Sequence, residues 1–336
     1  MAISSEFTKK SREILEEIKL SKSILLHCHP SPDPDSVGSA LAMKFVLEQL
    51  GKKVTVIRGD SEIPRGFMHF PGATDIVNKN FFEIDTSIFD LFIVLDSSRN
   101  GISRIKEVSI PDALKVINID HHRTNQGCGS IDLIDPTYPA NCLILYDLFR
   151  DWNIQLDTNI ASNLFIGTYT DTGAFKYEGV TPVVFDAVSV LSSYIPNMPS
   201  LIAEMENSTT KGMLAFEAVA LGSIREALNG SIALSIVPYS TLQNRGIDAR
   251  DIKPGFISSI LRNVPERNIV GALVEVVPGE VRASFRSKDS TVYDLSKLVI
   301  EWGGGGHKAA AGAVLNMSLD DAEKKVVEKI KILYNL

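Results

Sequence analysis

Cysteine is scarce: three residues in 336, Cys28, Cys128 and Cys142, an odd number with no CxxC spacing. A disulfide framework and a thiolate zinc site are excluded, and a reducing cytoplasm is the expected home. Long apolar runs are missing too. Although 44% of the chain is hydrophobic, no window approaches the ~18 uninterrupted apolar residues of a membrane-spanning helix. The opening segment, MAISSEFTKKSREILEEIKL, is charged and amphipathic, unlike a signal or transit peptide. A basic excess is lacking as well, since 34 Lys and Arg face 41 Asp and Glu, a net charge of −7. A protein that grips long nucleic acid neutralises many phosphates. This chain is therefore expected to take short or small anionic partners, held by a few local cations or metals, and no membrane. No low-complexity tract or internal repeat occurs, and the length suits about two domains.

What is present is an alternation of short apolar runs and amphipathic stretches. Ser23 to Leu26 reads as a buried strand, followed by a polar loop from His29 to Asp35 and a helix from about Ser36 to Leu50. KVTVIR (53–58), LFIVL (91–95) and LKVINI (114–119) read as further strands, with helices around 140–152 and 158–170. Interleaving of this kind predicts an α/β fold, with an N-terminal doubly wound parallel sheet covered on both faces. Residues 182–228 read as helical, with no strand-like run. Beyond them SIALSIV (231–237), NIVGALVEVV (268–277) and VRASFR (281–286) read as strands of a smaller α/β domain. Pro278-Gly279-Glu280 signals a hairpin. A strand at 312–316 and a helix capped by Ser318 and Asp321 close the chain. The expected division is 1–195, a helical connection 196–228, and 229–336, with a cleft between the two domains.

The chain has only six histidines, and His29, His121, His122 and His307 sit in polar clusters. Prolines at 30, 32 and 34 predict an extended segment in which His29, Asp33 and Asp35 face one way. Gly38-Ser39 would then open a helix whose free N–H groups favour an anion. Asp96 ends one apolar strand, and Asp120-His121-His122 end another. Adjacent histidines in extended backbone point to opposite sides, which predicts different roles for them. Asp171 lies in GTYTDTG (167–173). Taken singly, each of these is an ordinary turn, cap or solvated residue. Together, Asp33, Asp35, Asp96, Asp120 and Asp171 would converge on the edge of the sheet where α/β folds bind ligands. Like charges so close repel, so something cationic must sit among them. Four carboxylates and two neutral imidazoles balance two divalent ions, and an oxygen-rich set with histidine suits manganese, with magnesium or cobalt as alternatives.

The C-terminal half adds a run GGGGH (303–307). A bare glycine run is as often a linker, but here HKAAAGAV follows and resumes packing. Backbone without side chains at Gly304, Gly305 and Gly306, next to His307, lets a phosphate or nucleoside approach the N–H groups. Arg286, flanked by Ser284 and Ser287, offers a two-pronged donor, while Lys288 reads as a solvated charge.

At these residues the sequence resembles the DHH phosphoesterases. HPSPDPDSVGS, the strand end at Asp96, DHH and TDTG are similar to the four motifs of that family, and RASFRS (282–287) with GGGGHKAAAG (303–312) to the signature of its associated C-terminal domain. The motifs run in the family's order over residues 29–312. Departures fall at Asn141, Leu143 and Ala174. The resemblance implies one metal held by His29, Asp33 and Asp96, and a second by Asp35, Asp96, His121 and Asp171, with Asp96 bridging. Two such ions would supply an activated hydroxide for in-line attack on phosphorus. His122 would contact the phosphate and assist the leaving oxygen, and Asp120 would orient a histidine. Ser284, Ser287, Arg286, His307 and the glycine loop would hold the far end of the substrate.

Within the family, the basic SRKKQ-like signature of the pyrophosphatases is absent, and 336 residues leave no room for the extra domains of long-strand exonucleases. The implied group is the compact one that degrades oligoribonucleotides of about two to five nucleotides and dephosphorylates 3′-phosphoadenosine 5′-phosphate (pAp). A cyclic-di-AMP or pApA phosphodiesterase is the alternative. A non-catalytic nucleotide sensor is disfavoured because every ligand carboxylate is kept. Whether the enzyme is a homodimer is left open.

Overall fold

In the computed structural model the described residues are 4–177, 179–206 and 209–336. The chain forms two compact units, Met1–Ser208 and Thr209–Leu336. Among the described residues no helix is long and apolar enough to cross a membrane.

The first unit runs α1 (Ser5–Leu20), β1 (Ser23–His27), α2 (Pro34–Gln49), β2 (Lys53–Ile57), β3 (Leu91–Leu95), β4 (Lys115–Asp120), β5 (Ile131–Ile134), α3 (Asn141–Asp151), α4 (Thr158–Asp171), α5 (Pro182–Ser192) and α6 (Met198–Glu206). The strands form a sheet ordered β2-β1-β3-β4-β5, and every pairing is parallel. Strand residues alternate between two apolar clusters, as a sheet buried on both faces requires. Ile24, Leu26, Leu91, Ile93, Leu95, Ile117 and Ile119 join the large core beneath α1, α2, α3 and α4. Leu25, Phe92, Val94 and Val116 face the other way, onto Phe81, Phe89, Ile102 and Val108 of short 3-10 turns and loops. Helix α2 lies tight on α4. A Cβ added at Gly38 would stand 2.6 Å from the Asn163 carbonyl oxygen, so only glycine permits this approach.

Two local expectations are corrected. The polar loop after β1 is not extended through Asp35, because α2 begins at Pro34. Proline suits the first helical position, and Asp33 caps it by accepting the Ser36 N–H at 2.9 Å. Residues 182–228 are not helical throughout, since a strand occupies Ile224–Ala227.

The second unit contains α7 (Lys211–Gly222), β6 (Ile224–Ala227), β7 (Ile232–Val237), α8 (Tyr239–Asn244), α9 (Pro254–Leu261), β8 (Ile269–Val277), β9 (Glu280–Ser287), α10 (Leu295–Val299), β10 (Gly305–His307), β11 (Ala310–Leu315) and α11 (Leu319–Tyr334). Its mixed sheet is ordered β10-β11-β9-β8-β7-β6, with β7 and β8 parallel and the other neighbours antiparallel. The turn between β8 and β9 has Gly279 at φ 82°, where glycine is at ease. The glycine run is not a free loop. Gly305–His307 is a short strand paired with Ala310–Gly312.

Candidate metal centre

The order β2-β1-β3 places the reversal of strand order between β1 and β3, and a crevice opens beyond their carboxyl ends. The chain leaving β1 carries His29 and Asp33 and enters α2 at Asp35. The chain leaving β3 begins with Asp96. It is held at φ 53°, a left-handed conformation that aspartate tolerates better than most residues. The chain leaving β4 carries His121 and His122, and Asp171 is the last residue of α4. Six of the expected side chains therefore meet at one edge. His29 Nε2 lies 3.3 Å from Asp33 Oδ2 and 3.8 Å from Asp96 Oδ2. His121 Nε2 lies 3.3 Å from Asp96 Oδ1, 3.4 Å from Asp171 Oδ2 and 3.9 Å from Asp35 Oδ2. His29, Asp33 and Asp96 form one group able to hold an ion, Asp35, His121 and Asp171 another, and Asp96 also groups with Asp120, His121 and His122.

The two adjacent histidines do not point to opposite sides. Strand β4 ends at Asp120, whose Oδ1 accepts the backbone N–H of His121 (2.8 Å) and of His122 (3.2 Å) and curls the chain out of the extended form. The imidazole centroids end 4.4 Å apart. Their partners still differ. His121 Nδ1 meets the Tyr138 carbonyl oxygen at 3.3 Å, which leaves Nε2 for the cluster. His122 Nδ1 meets Asp120 Oδ1 at 2.7 Å.

Residues given no site role from the sequence build the frame. The N–H groups that open α3, at Asn141 and Cys142, donate to Asp35 at 2.6 and 3.0 Å. Gly167 leaves room for the same carboxylate, since a Cβ there would lie 2.5 Å from Asp35 Oδ1. Asn125 Nδ2 donates to Asp120 Oδ2 at 2.6 Å, and Asn118 Nδ2 ties down the Ser97 carbonyl at 2.7 Å. The only sequence signal for these is that buried Asn and Gly at strand and helix ends need a reason.

The electrostatics of the cluster call for a positive counter-charge. Burial, followed by the charges of Asp35 and Asp33, pushes Asp96 well above the usual carboxylate range. Burial also raises Asp35. Burial and then the charge of Asp35 push Asp171 up to about 7. Asp96 Oδ1 is buried with no hydrogen-bond donor. An orphaned carboxylate oxygen among carboxylates and imidazoles fits one or more hard divalent cations. A larger cavity of about 680 Å³, lined by Tyr138, Leu143, Tyr146, Val184 and Tyr194, holds none of these clustered groups.

In the second unit, Ser284 and Arg286 share a face of β9. Arg286 Nη1 donates to the Phe285 carbonyl at 2.9 Å, and the Ser284 hydroxyl lies 3.2 Å from that of Ser258. The register sets Arg286, Ala310 and His307 in one row across β9, β11 and β10. Paired residues project to the same face, so Arg286 and His307 flank the small Ala310. Gly304 is packed against the Gly312 carbonyl, while Gly305, Gly306 and His307 are exposed. Ser287 does not join them, because it alternates to the other face and is 2% exposed. The Lys288 ammonium binds the Pro265 carbonyl.

Comparison with known proteins agrees with this architecture. Residues 23–168 match the DHH family, N-terminal domain. The bifunctional oligoribonuclease and PAP phosphatase NrnA of Thermus thermophilus is 26% identical over 327 residues, covering 97% of this chain and 94% of the relative. The protein of the same name from Bacillus subtilis is 23% identical over 318 residues, covering 93% and 95%. The crystal structure of an exopolyphosphatase-related protein from Bacteroides fragilis has the same fold, with a TM-score of 0.87 at 19% identity over 97% of each chain.

Proposed function

We infer, from a chain whose residues 23–168 are a DHH-family N-terminal domain, that this phosphoesterase hydrolyses short oligoribonucleotides and pAp. The observation that carries the reading is the convergence of Asp33, Asp35, Asp96 and Asp171 with His29 and His121, around the donorless Oδ1 of Asp96. The names of the two relatives above, matched over nearly their whole lengths, support the substrate class. His29, Asp33 and Asp96 would hold one divalent ion, and Asp35, His121 and Asp171 with Asp96 a second; manganese is the metal we propose. Such ions supply an activated water and neutralise charge on the scissile phosphate when bound. The protein's own groups do the rest. Tyr138 keeps His121 in one tautomer through its carbonyl oxygen. Asp120 holds His122 so that its free Nε2 can deliver a proton to the leaving oxygen. Arg286 and His307 take the nucleotide that is not cleaved.

The test offers pAp, di- to pentaribonucleotides, pApA and cyclic-di-AMP in parallel with manganese and identifies the products. Mononucleotides from the short RNAs and AMP from pAp are expected. Turnover of cyclic-di-AMP far above that of the short RNAs would replace this reading with the cyclic-dinucleotide one.

A further inference from the structure

Beside the carboxylate cluster is a second, smaller cavity of about 190 Å³, whose wall includes His29, Asp96 and His122 and, from the loop after β3, Arg104. Arg104 is exposed, and among the described residues its guanidinium has no carboxylate within ion-pair distance, although acidic groups dominate the neighbourhood. Its backbone is fixed nevertheless. Asp60, just past β2, accepts the Arg104 N–H at 2.6 Å and the Ser103 hydroxyl at 2.7 Å, and Ser103 Oγ accepts the Ile105 N–H at 3.1 Å. A loop anchored this way presents a cation at a set place, with its side chain left for something else.

Charge balance says what that is. Asp33, Asp35, Asp96, Asp120 and Asp171 bring five negative charges, and two divalent ions bring four positive ones. The loaded cluster is thus left without the surplus positive charge a phosphoryl group requires. Arg104, one of the wall residues, carries the guanidinium that can supply it, a fork whose shape suits two phosphate oxygens. Resting on the phosphoesterase reading above, we propose that Arg104 binds the phosphoryl group under attack through its non-bridging oxygens, whatever nucleotide carries it. Arg286, in the other unit, would instead sort substrates by the nucleotide they carry.

The experiment compares manganese-loaded, full-length wild-type protein with Arg104→Ala and Arg104→Lys. Inorganic phosphate is the probe, its binding measured by calorimetry and the metal content of each protein by elemental analysis. Arg104→Ala should bind phosphate about tenfold more weakly or worse with metal content unchanged, and Arg104→Lys should recover part of the loss. In turnover, Arg104→Ala should lower kcat/KM on pAp and on a diribonucleotide by one common factor. Phosphate affinity within about twofold of wild type in Arg104→Ala would overturn the inference, since a fork-to-oxygen contact is worth more than that. Phosphate binding that depends on Arg104 in a protein cleaving neither substrate would keep this inference and overturn the proposed function.

Discussion

Asp120 Oδ1 and His122 Nδ1 lie 2.7 Å apart, and the same oxygen receives the backbone N–H of both His121 and His122. The hydrogen bond to Asp120, more than the opposing burial, raises His122 above the ordinary imidazole range. Burial of Asp120 would raise its own carboxyl, but the bonds from His122 and Asn125 hold it below its usual value. One carboxylate thus shapes the turn and keeps the neighbouring imidazole a ready proton donor. In Asp120→Asn the raising influence is lost, so His122 gives up its proton at lower pH. The alkaline fall in kcat should move to lower pH, and kcat should drop by about 10²-fold, the scale of a misplaced general acid. His122→Ala should lower kcat similarly and abolish that limb, with both metals retained. Metal loss in His122→Ala as large as in His121→Ala would show that the two rings do not divide their roles as their partners suggest.

Among the described residues, Asp96 is the one carboxylate within reach of His29, His121 and His122 alike. Asp96→Asn should cut turnover to below about a tenth of wild type, because a neutral amide cannot serve two cations. The same change removes a buried, repelled charge from the metal-free protein. Thermal unfolding in chelator near pH 8 should therefore show Asp96→Asn at least as stable as wild type. An active, metal-replete Asp96→Asn protein would contradict the shared-ligand assignment.

The raised carboxylates also give the metal-free protein an inverted pH dependence. Asp171 titrates near 7 in the fold against 3.8 without it, and Asp35 and Asp96 are displaced the same way. Between those values the folded state keeps protons that the unfolded state has released, so stability falls as pH rises from about 4 to 7. His122, raised as well, contributes stability that is likewise lost with rising pH, and the depressed Asp33 and Asp120 act only below that window. Burial lowers His27 to about 4 and lowers His69 too, so these two oppose the trend, against three raised carboxylates. Metal binding requires the deprotonated forms, so the gain in Tm on adding manganese should grow over the same interval. Melting curves at several pH values, with chelator and with manganese, check both trends. A metal-free Tm that climbs from pH 5 to 7 would contradict the crowding of charge inferred here.

LLH, LFIVL and VINI were legible in the sequence because buried parallel strands read as largely apolar runs, and VTVI of the half-buried edge strand β2 by its β-branched residues. Most site residues were legible for a related reason, being the first polar residue after such a run or following it within one short loop; Asp171, the last residue of α4, was found by its TDTG segment alone. Short strands with mixed composition escaped. IDLI of β5, IREA of β6 and GGH of β10 owe their form to a neighbour across the sheet, and nothing local specifies them. The turn of Asp35 into a helix was misread because proline permits both an extended segment and a first helical turn. The Asp96 neighbourhood depends on links such as Asp60 to Arg104 and Tyr138 to His121. Those pairs are separated in sequence and carry no shared motif.

Length selectivity should follow from the charge of the whole chain and the row formed by Arg286, Ala310 and His307. A net charge of −7 offers no continuous basic track, so each phosphate added beyond the site gains little attraction and meets general repulsion. The row is small, with one guanidinium and one imidazole either side of an alanine, so as the proposed substrate site it would take one terminal nucleotide. Rates should be highest for di- to pentanucleotides and fall for longer strands. Arg286→Ala should damage cleavage of these short RNAs and of pAp while leaving metal content unchanged, since Arg286 belongs to the second unit and not to the carboxylate cluster. A series of 5′-labelled RNAs at one fixed salt concentration measures the trend, because salt alone would tilt a comparison between lengths. Degradation of a strand of about 20 nucleotides as fast as a trimer would mean that the surface does track a long phosphate backbone, and that Arg286 and His307 do not set the length.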